Sequence, residues 1–298
     1  MAVGFLIPVS RITRALVANI RKVTNSFERA LILLDLLEKT PGGLKTMEIA
    51  KRLNIPKSSC FYITSKLVAR GYIQRDDETA CYKIGLTPLA LAHASLREIG
   101  FRSLAEPILY KLALQSGASA AIGMIERGRV LIVDRVEGPE FVQDALRIAE
   151  GNRVRLQRRR GDSRIRQDRD IGRELAIHST ALGKVLLAYK PEQQANDLIG
   201  ALHLTKFTAH TITSRAELKN QLSEIRNQGY ASADSEQDLG IRAIAAPLFF
   251  RDNNTVHAAV TINGHIPDDV WDDRDALVAA VINGARQISK RIWQLSFS

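Results

Sequence analysis

The chain has 298 residues, 45% hydrophobic and 25% charged, which suits a globular protein with two cores at roughly 100–200 residues per domain. It has no apolar run of about 18 residues to span a bilayer. Its two cysteines, Cys60 and Cys81, form neither a disulfide framework nor a cluster with metal-ligand spacing. The net charge of +10 and pI near 9.8 favour a polyanionic partner, but residues 142–173 carry ten Arg against five Asp or Glu, half of that excess.

The apolar start of the chain has no basic region before it; Arg11 and Arg14 follow it. Residues 1–24 therefore read as an N-terminal extension, not a secretory leader, and a cytoplasmic protein with reduced thiols is expected. Residues 25–39 read as a helix, with Asn25 and Glu28 at capping-box spacing and Phe27, Ala30, Leu31, Leu34 and Leu37 as its apolar face. Pro41-Gly42-Gly43 ends it. A second helix spans 46–53, with Ile49, Ala50 and Leu53 on one face. Pro56 opens a third, to residue 69 or 70, with Cys60, Ile63 and Leu67 turned inward. Two short extended segments, 72–75 and 82–84, flank the polar tip Asp76-Asp77-Glu78-Thr79. Three helices followed by such a hairpin predict a winged helix-turn-helix over 25–86.

Helical patterns at 87–97 and 101–116 predict a connector, with a linker helix over 87–100. Beyond it, 119–125 and 130–136 read as strands, 180–189 and 215–227 as helices, and 242–250 with 256–263 as a hairpin across Asp252-Asn253-Asn254. Ser214 and Glu217 form a capping box, and a final amphipathic helix covers 272–293. Residues 101–298 thus make a second domain, and the fold class is α+β. The like charge of 142–173, with its Arg158-Arg159-Arg160 run, disfavours packing and predicts an exposed basic loop.

Several motifs fall in a familiar order. They are Ser26-Phe27-Glu28-Arg29-Ala30-Leu31, Glu48-Ile49-Ala50-Lys51-Arg52-Leu53, Pro56-Lys57-Ser58-Ser59 and Ala69-Arg70-Gly71-Tyr72-Ile73. In the second half come Val133-Asp134-Arg135-Val136, His178-Ser179-Thr180-Ala181-Leu182-Gly183-Lys184 and Gly240-Ile241-Arg242-Ala243. From about residue 25 to 293 the chain resembles the IclR family of transcriptional regulators. The resemblance implies a winged helix-turn-helix, a helical linker and a GAF-like mixed α/β effector-binding domain. It implies a double-stranded DNA operator, a small organic or aromatic acid effector from a catabolic pathway, and a homodimer or homotetramer. It also allows contact with RNA polymerase, and calls for no cofactor, metal or membrane.

A recognition helix presents polar groups to base edges near its N-terminus. Here these are Lys57, Ser58, Ser59, Phe61 and Tyr62, with Ser65 and Lys66 a turn later. Arg75 and Lys83 of the wing suit phosphates. The family often has a charged or polar pair where this chain has Phe61-Tyr62. Phe61 can touch a thymine methyl or pack against the wing. In the sensor domain the resemblance assigns the ligand carboxylate to the helix start at Thr180, Ala181 and Leu182, where free N–H groups favour an anion. It places Asp234 and Glu236 on a loop opposite, and Ala243 and Asn263 on strands lining the pocket. The family often carries cysteine at Ala243; alanine leaves room for a larger or more apolar acid.

Two rival functions have weaker support. One is a small-acid sensor whose winged helix binds protein. The other is a hydrolase using His178, Ser179 and Asp234. Adjacent residues on a strand point to opposite faces, which does not suit His178 as a base for Ser179. Neither a nucleophile elbow nor a phosphate-binding glycine loop is present.

Overall fold

The computed structural model describes residues 25–138, 171–250 and 256–295. The chain falls into two compact units, Met1–Glu98 and Ile99–Ser298. The expectations for the N-terminal extension, most of the basic segment 142–173 and the turn at Asp252-Asn253-Asn254 lie outside the described residues.

In the first unit, helices α1 (Ser26–Glu38), α2 (Thr46–Leu53) and α3 (Lys57–Ala69) precede a two-stranded hairpin, β1 (Ile73–Arg75) and β2 (Tyr82–Ile84). Asn25 caps α1, its side chain accepting from the Glu28 N–H at 2.8 Å. Glu48 reaches back to accept from the Lys45 N–H at 2.8 Å. Pro56 is the residue before α3 and not its first turn. Gly43, at φ +86°, passes so close to the Tyr82 carbonyl that a Cβ has no room. That contact lets Leu44 bridge to Tyr82 and close the wing against the helices.

The core here is Leu33, Leu36, Leu37, Leu44, Ile49, Leu53, Cys60, Ile63, Ile73 and Tyr82. This corrects the expected face of α1: Phe27 and Leu31 are 73% and 48% exposed, while Leu33 and Leu36 turn inward. Helix α4 (Thr87–Glu98) follows and buries none of its residues.

The second unit is built on a six-stranded, wholly antiparallel sheet. Its order is β5-β4-β3-β8-β7-β6. The strands are β3 (Ser119–Glu126), β4 (Arg129–Val136), β5 (Glu174–Leu175), β6 (Ala231–Asp234), β7 (Arg242–Phe249) and β8 (Val256–Gly264). Pro247 lies past the end of β6, where β7 has a neighbour on one side only.

Two separate cores follow from the alternation of side chains along each strand. Ile122, Val133, Ile244, Leu248, Val260 and Ile262 meet α5 (Arg102–Ser116) and the last helix, α10 (Asp275–Leu295), which follows the short α9 (Asp268–Asp272). Ala121, Ile132, Ala245 and Ala259 meet α6 (Ala181–Ala188) and α8 (Arg215–Gln228), with α7 (Glu192–Ala201) beside them. Among the described residues no helix is long and apolar enough to cross a membrane.

Candidate nucleic-acid interface and effector site

Helix α3 divides cleanly. Cys60, Ile63 and Thr64 are buried and Leu67 half-buried, while Lys57, Ser58, Phe61, Tyr62, Ser65 and Lys66 are exposed and Ser59 is half-buried. The spacing i, i+1, i+4, i+5, i+8, i+9 makes the exposed set one continuous face. No Asp or Glu occurs anywhere in the helix. Phe61 is 63% exposed, so its ring is not packed away against the wing. The Lys66 ammonium lies 5.6 Å from the centre of the Tyr62 ring, and Ser65 Oγ donates to the Tyr62 carbonyl at 2.9 Å.

The two wing cations differ. Arg75 is exposed and has no ion-pair partner among the described residues. Lys83, expected to be free for phosphate, donates to Asp76 Oδ2 at 2.7 Å. The hydrogen bond from Lys83, helped by the Thr79 N–H, holds the Asp76 carboxyl well below the usual carboxylate range.

In the second unit, Thr180 caps α6. Its hydroxyl accepts from the Gly183 N–H at 3.1 Å and donates to the Ala176 carbonyl at 2.7 Å. Ala181 and Leu182 are buried to 0% and 3% exposure. Their N–H groups find no acceptor among the described residues. Gly183 has no room for a Cβ because the Ile177 backbone lies against it, which brings the turn before α6 onto the helix.

On the sheet beneath, Ala243 pairs in register with Asn263, and Arg135 with Ala121, so all four share the face toward α6. Arg135 Nη1 donates to Asn263 Oδ1 at 3.4 Å, and its Nε to Glu137 Oε1 at 2.7 Å. Glu236 is buried on this side. Its Oε1 accepts from the Lys184 ammonium of α6 at 2.6 Å, while its Oε2 has no partner among the described residues. Burial pushes the Glu236 carboxyl up, and the attraction of Lys184 offsets this only in part.

Asp234 departs from expectation. It ends strand β6 instead of lying on a loop, and it pairs in register with Arg242, not with Ala243. Its carboxylate accepts from Arg242 Nε at 3.1 Å, on the sheet face opposite to Ala243 and Asn263. Ala243 and Asn263 thus lie on the α6 side of the sheet, where Glu236 meets Lys184 of α6, and Asp234 falls on the opposite face.

Three polar side chains of this region were not singled out by sequence reasoning. Lys184 is one, and an isolated cation in Ala181-Leu182-Gly183-Lys184-Val185-Leu186-Leu187-Ala188 was a visible request for a buried anion. The others are Arg135 and Gln237, whose Oε1 accepts from the Ala176 N–H and Ser179 Oγ, each at 3.2 Å. Gln237 lies far apart in sequence from Ala176 and Ser179, and Arg135 from Asn263, which leaves no local signal for those contacts.

The hydrolase set is not assembled. His178 and Ser179 sit in a turn, not on a strand. His178 Nε2 donates to the Thr205 carbonyl at 3.0 Å, Ser179 donates to Gln237, and Asp234 is held by Arg242. Burial pulls the His178 pKa down, leaving a neutral ring stacked on Phe207 at 5.8 Å.

Two family models match the chain: the IclR helix-turn-helix domain over residues 26–77 and the bacterial transcriptional regulator IclR C-terminal domain over 147–290. The glycerol operon regulatory protein of Streptomyces coelicolor is 32% identical over 267 residues, covering 89% of this chain and 95% of its own. The HTH-type transcriptional regulator XynR of Escherichia coli K12 is 29% identical over 236 residues, covering 79% and 84%. A solved IclR homologue from Microbacterium hydrocarbonoxydans, complexed with 4-hydroxybenzoate, superposes with a TM-score of 0.70 at 17% identity, over 90% of this chain and 99% of that one.

Proposed function

The chain belongs to the IclR family of transcriptional regulators, and from that premise we propose how its two units divide the work. Helix α3 enters the major groove of an operator, with Lys57, Ser58, Ser59, Phe61, Tyr62, Ser65 and Lys66 toward the DNA. Arg75 of the wing meets a phosphate, and Lys83 does so once released from Asp76. The observation that carries this is the acid-free, cationic exposed face of α3 beside a wing. The protein acts as a homodimer or homotetramer, since one α3 reads one half-site.

The effector is a small organic or aromatic acid seated on the α6 face of the sheet. Its carboxylate takes the free N–H groups of Ala181 and Leu182, assisted by the helix dipole. Its body lies against Ala243 and Asn263, with Glu236 beside it. The solved relative holding 4-hydroxybenzoate supports an acid of this class. The small Ala243 side chain leaves room for a ring.

For such a ligand to regulate, it must bind two arrangements of the protein with different affinity. Operator binding by the full chain, titrated with 4-hydroxybenzoate and a panel of small acids, tests this. At least one acid should change operator affinity several-fold and be recovered unconsumed. If no acid of the panel changes affinity or raises the melting temperature, the effector reading fails.

A further inference from the structure

We propose that Phe61 reads the 5-methyl group of a thymine, so that target sites carry a thymine at a position set by α3. This deepens the reading of α3 as the DNA-binding element and rests on it. Phe61 lies one turn beyond Lys57 and one turn before Ser65, in the middle of the exposed face, and is 63% exposed. The buried side of the helix belongs to Cys60, Ile63 and Thr64, so the ring has no place in the core.

A phenylalanine ring has no hydrogen-bond donor or acceptor. Against the major-groove edges of the four base pairs, the thymine methyl is the one apolar group it can recognise. The charged residues of α3 are Lys57 and Lys66, with no acid among its thirteen residues. That charge complements a polyanion and disfavours a basic protein surface as the cover for the ring. The neighbouring Tyr62 is different in kind. Its ring already has the Lys66 ammonium 5.6 Å away, and its hydroxyl can donate to a phosphate. Phe61 therefore supplies discrimination, while Lys57, Lys66 and Tyr62 supply attraction that is indifferent to sequence.

The test compares thymine with uracil, which differ by that methyl alone. The probe is the tightest duplex selected by the full chain from a random pool, prepared once with thymine and once with uracil. One buried methyl is worth ~0.8 kcal/mol, which at 1.4 kcal/mol per tenfold is about a fourfold weaker affinity for the uracil duplex. Phe61→Ala should bind both duplexes equally, with an unchanged salt slope because no cation is lost. Replacing thymines singly should place the effect at one position per bound α3. Equal affinity of the native chain for both duplexes, with selective and salt-dependent binding intact, overturns the role of Phe61 alone. Discrimination that survives in Phe61→Ala does the same, by assigning the methyl to another side chain. A selection that enriches no sequence overturns the DNA-binding reading of α3 and this inference with it.

Discussion

Replacing Lys184 by Met should destabilise the second unit by about 3–5 kcal/mol, the usual cost of removing one partner of a buried ion pair. The Lys184 side chain is 2% exposed and that of Glu236 10%, with Nζ and Oε1 2.6 Å apart. At an effective dielectric of about 20 their attraction is about 6 kcal/mol. Desolvation opposes it strongly enough that the Glu236 carboxyl still stands above its ordinary range. Without the ammonium, Glu236 loses the bond to Oε1, and Oε2 already lacks a partner among the described residues.

The pair as a whole is a different matter. Because both charges of a buried pair are costly to desolvate, the double replacement Lys184→Met/Glu236→Leu should recover most of the loss. Both tryptophans, Trp271 and Trp293, lie in the second unit, so urea unfolding followed by their fluorescence reports that unit. At about 2–4 °C per kcal/mol for a unit of this size, the single variant should melt about 6–20 °C lower.

The pH dependence has a definite sign. Losing Lys184 raises the folded pKa of Glu236 further above its unfolded value. Such a group contributes stability that is full below the unfolded pKa, near 4.3, and lost as pH rises through the folded pKa. The deficit of Lys184→Met should therefore shrink in acid, where Glu236 is a neutral carboxyl. A loss below about 1 kcal/mol at neutral pH, or a deficit that grows in acid, would refute the reasoning.

Three more outcomes follow from the same geometry. Gly183→Ala must push α6 away from the Ile177 backbone; a loss of about 1–3 kcal/mol and weakened acid binding are expected in paired melting and titration measurements, and an unshifted melting temperature would contradict the close approach. His178 has a folded pKa below its ordinary 6.5, so its stabilisation is present above 6.5 and declines as pH falls through the folded pKa; His178→Gln should flatten that part of the stability-pH curve, and an unaltered curve would remove His178 as its source. Asp76→Asn should free Lys83 and steepen the slope of log affinity against log salt by up to ~0.9, one further phosphate contact; an identical slope would show that Lys83 faces no phosphate.

The sequence carried the order of elements well where the pattern was local. The expected caps Asn25 and Ser214 sit at the starts of α1 and α8, and the wing pairs Ile73 with Ile84 as its alternation implies. The phase of α1 is not legible in the sequence, because Ala30-Leu31-Ile32-Leu33-Leu34 and Leu36-Leu37 offer several overlapping apolar stripes. Only packing against α2, α3 and the wing selects Leu33, Leu36 and Leu37.

Strands β5 and β6 span two and four residues, too short for alternation to show, and α7 has a polar surface with two buried residues, Ala195 and Ile199. The sensor site was visible in part. The helix that starts at Thr180 was legible within one residue; the side of the sheet on which Asp234 falls depends on its register with Arg242, and one step of register reverses the face. The partnership of Lys184 with Glu236 spans 52 positions and appears only when the chain is folded.

The most direct measurement is the affinity of the full chain for duplexes from the region upstream of its own gene, against scrambled duplexes of equal length, across a salt series. The account predicts selective binding that weakens steeply with salt, with Lys57→Ala and Lys66→Ala each reducing the slope by about 0.9. Weak binding, equal on both duplexes and unaltered by those two replacements, would contradict it.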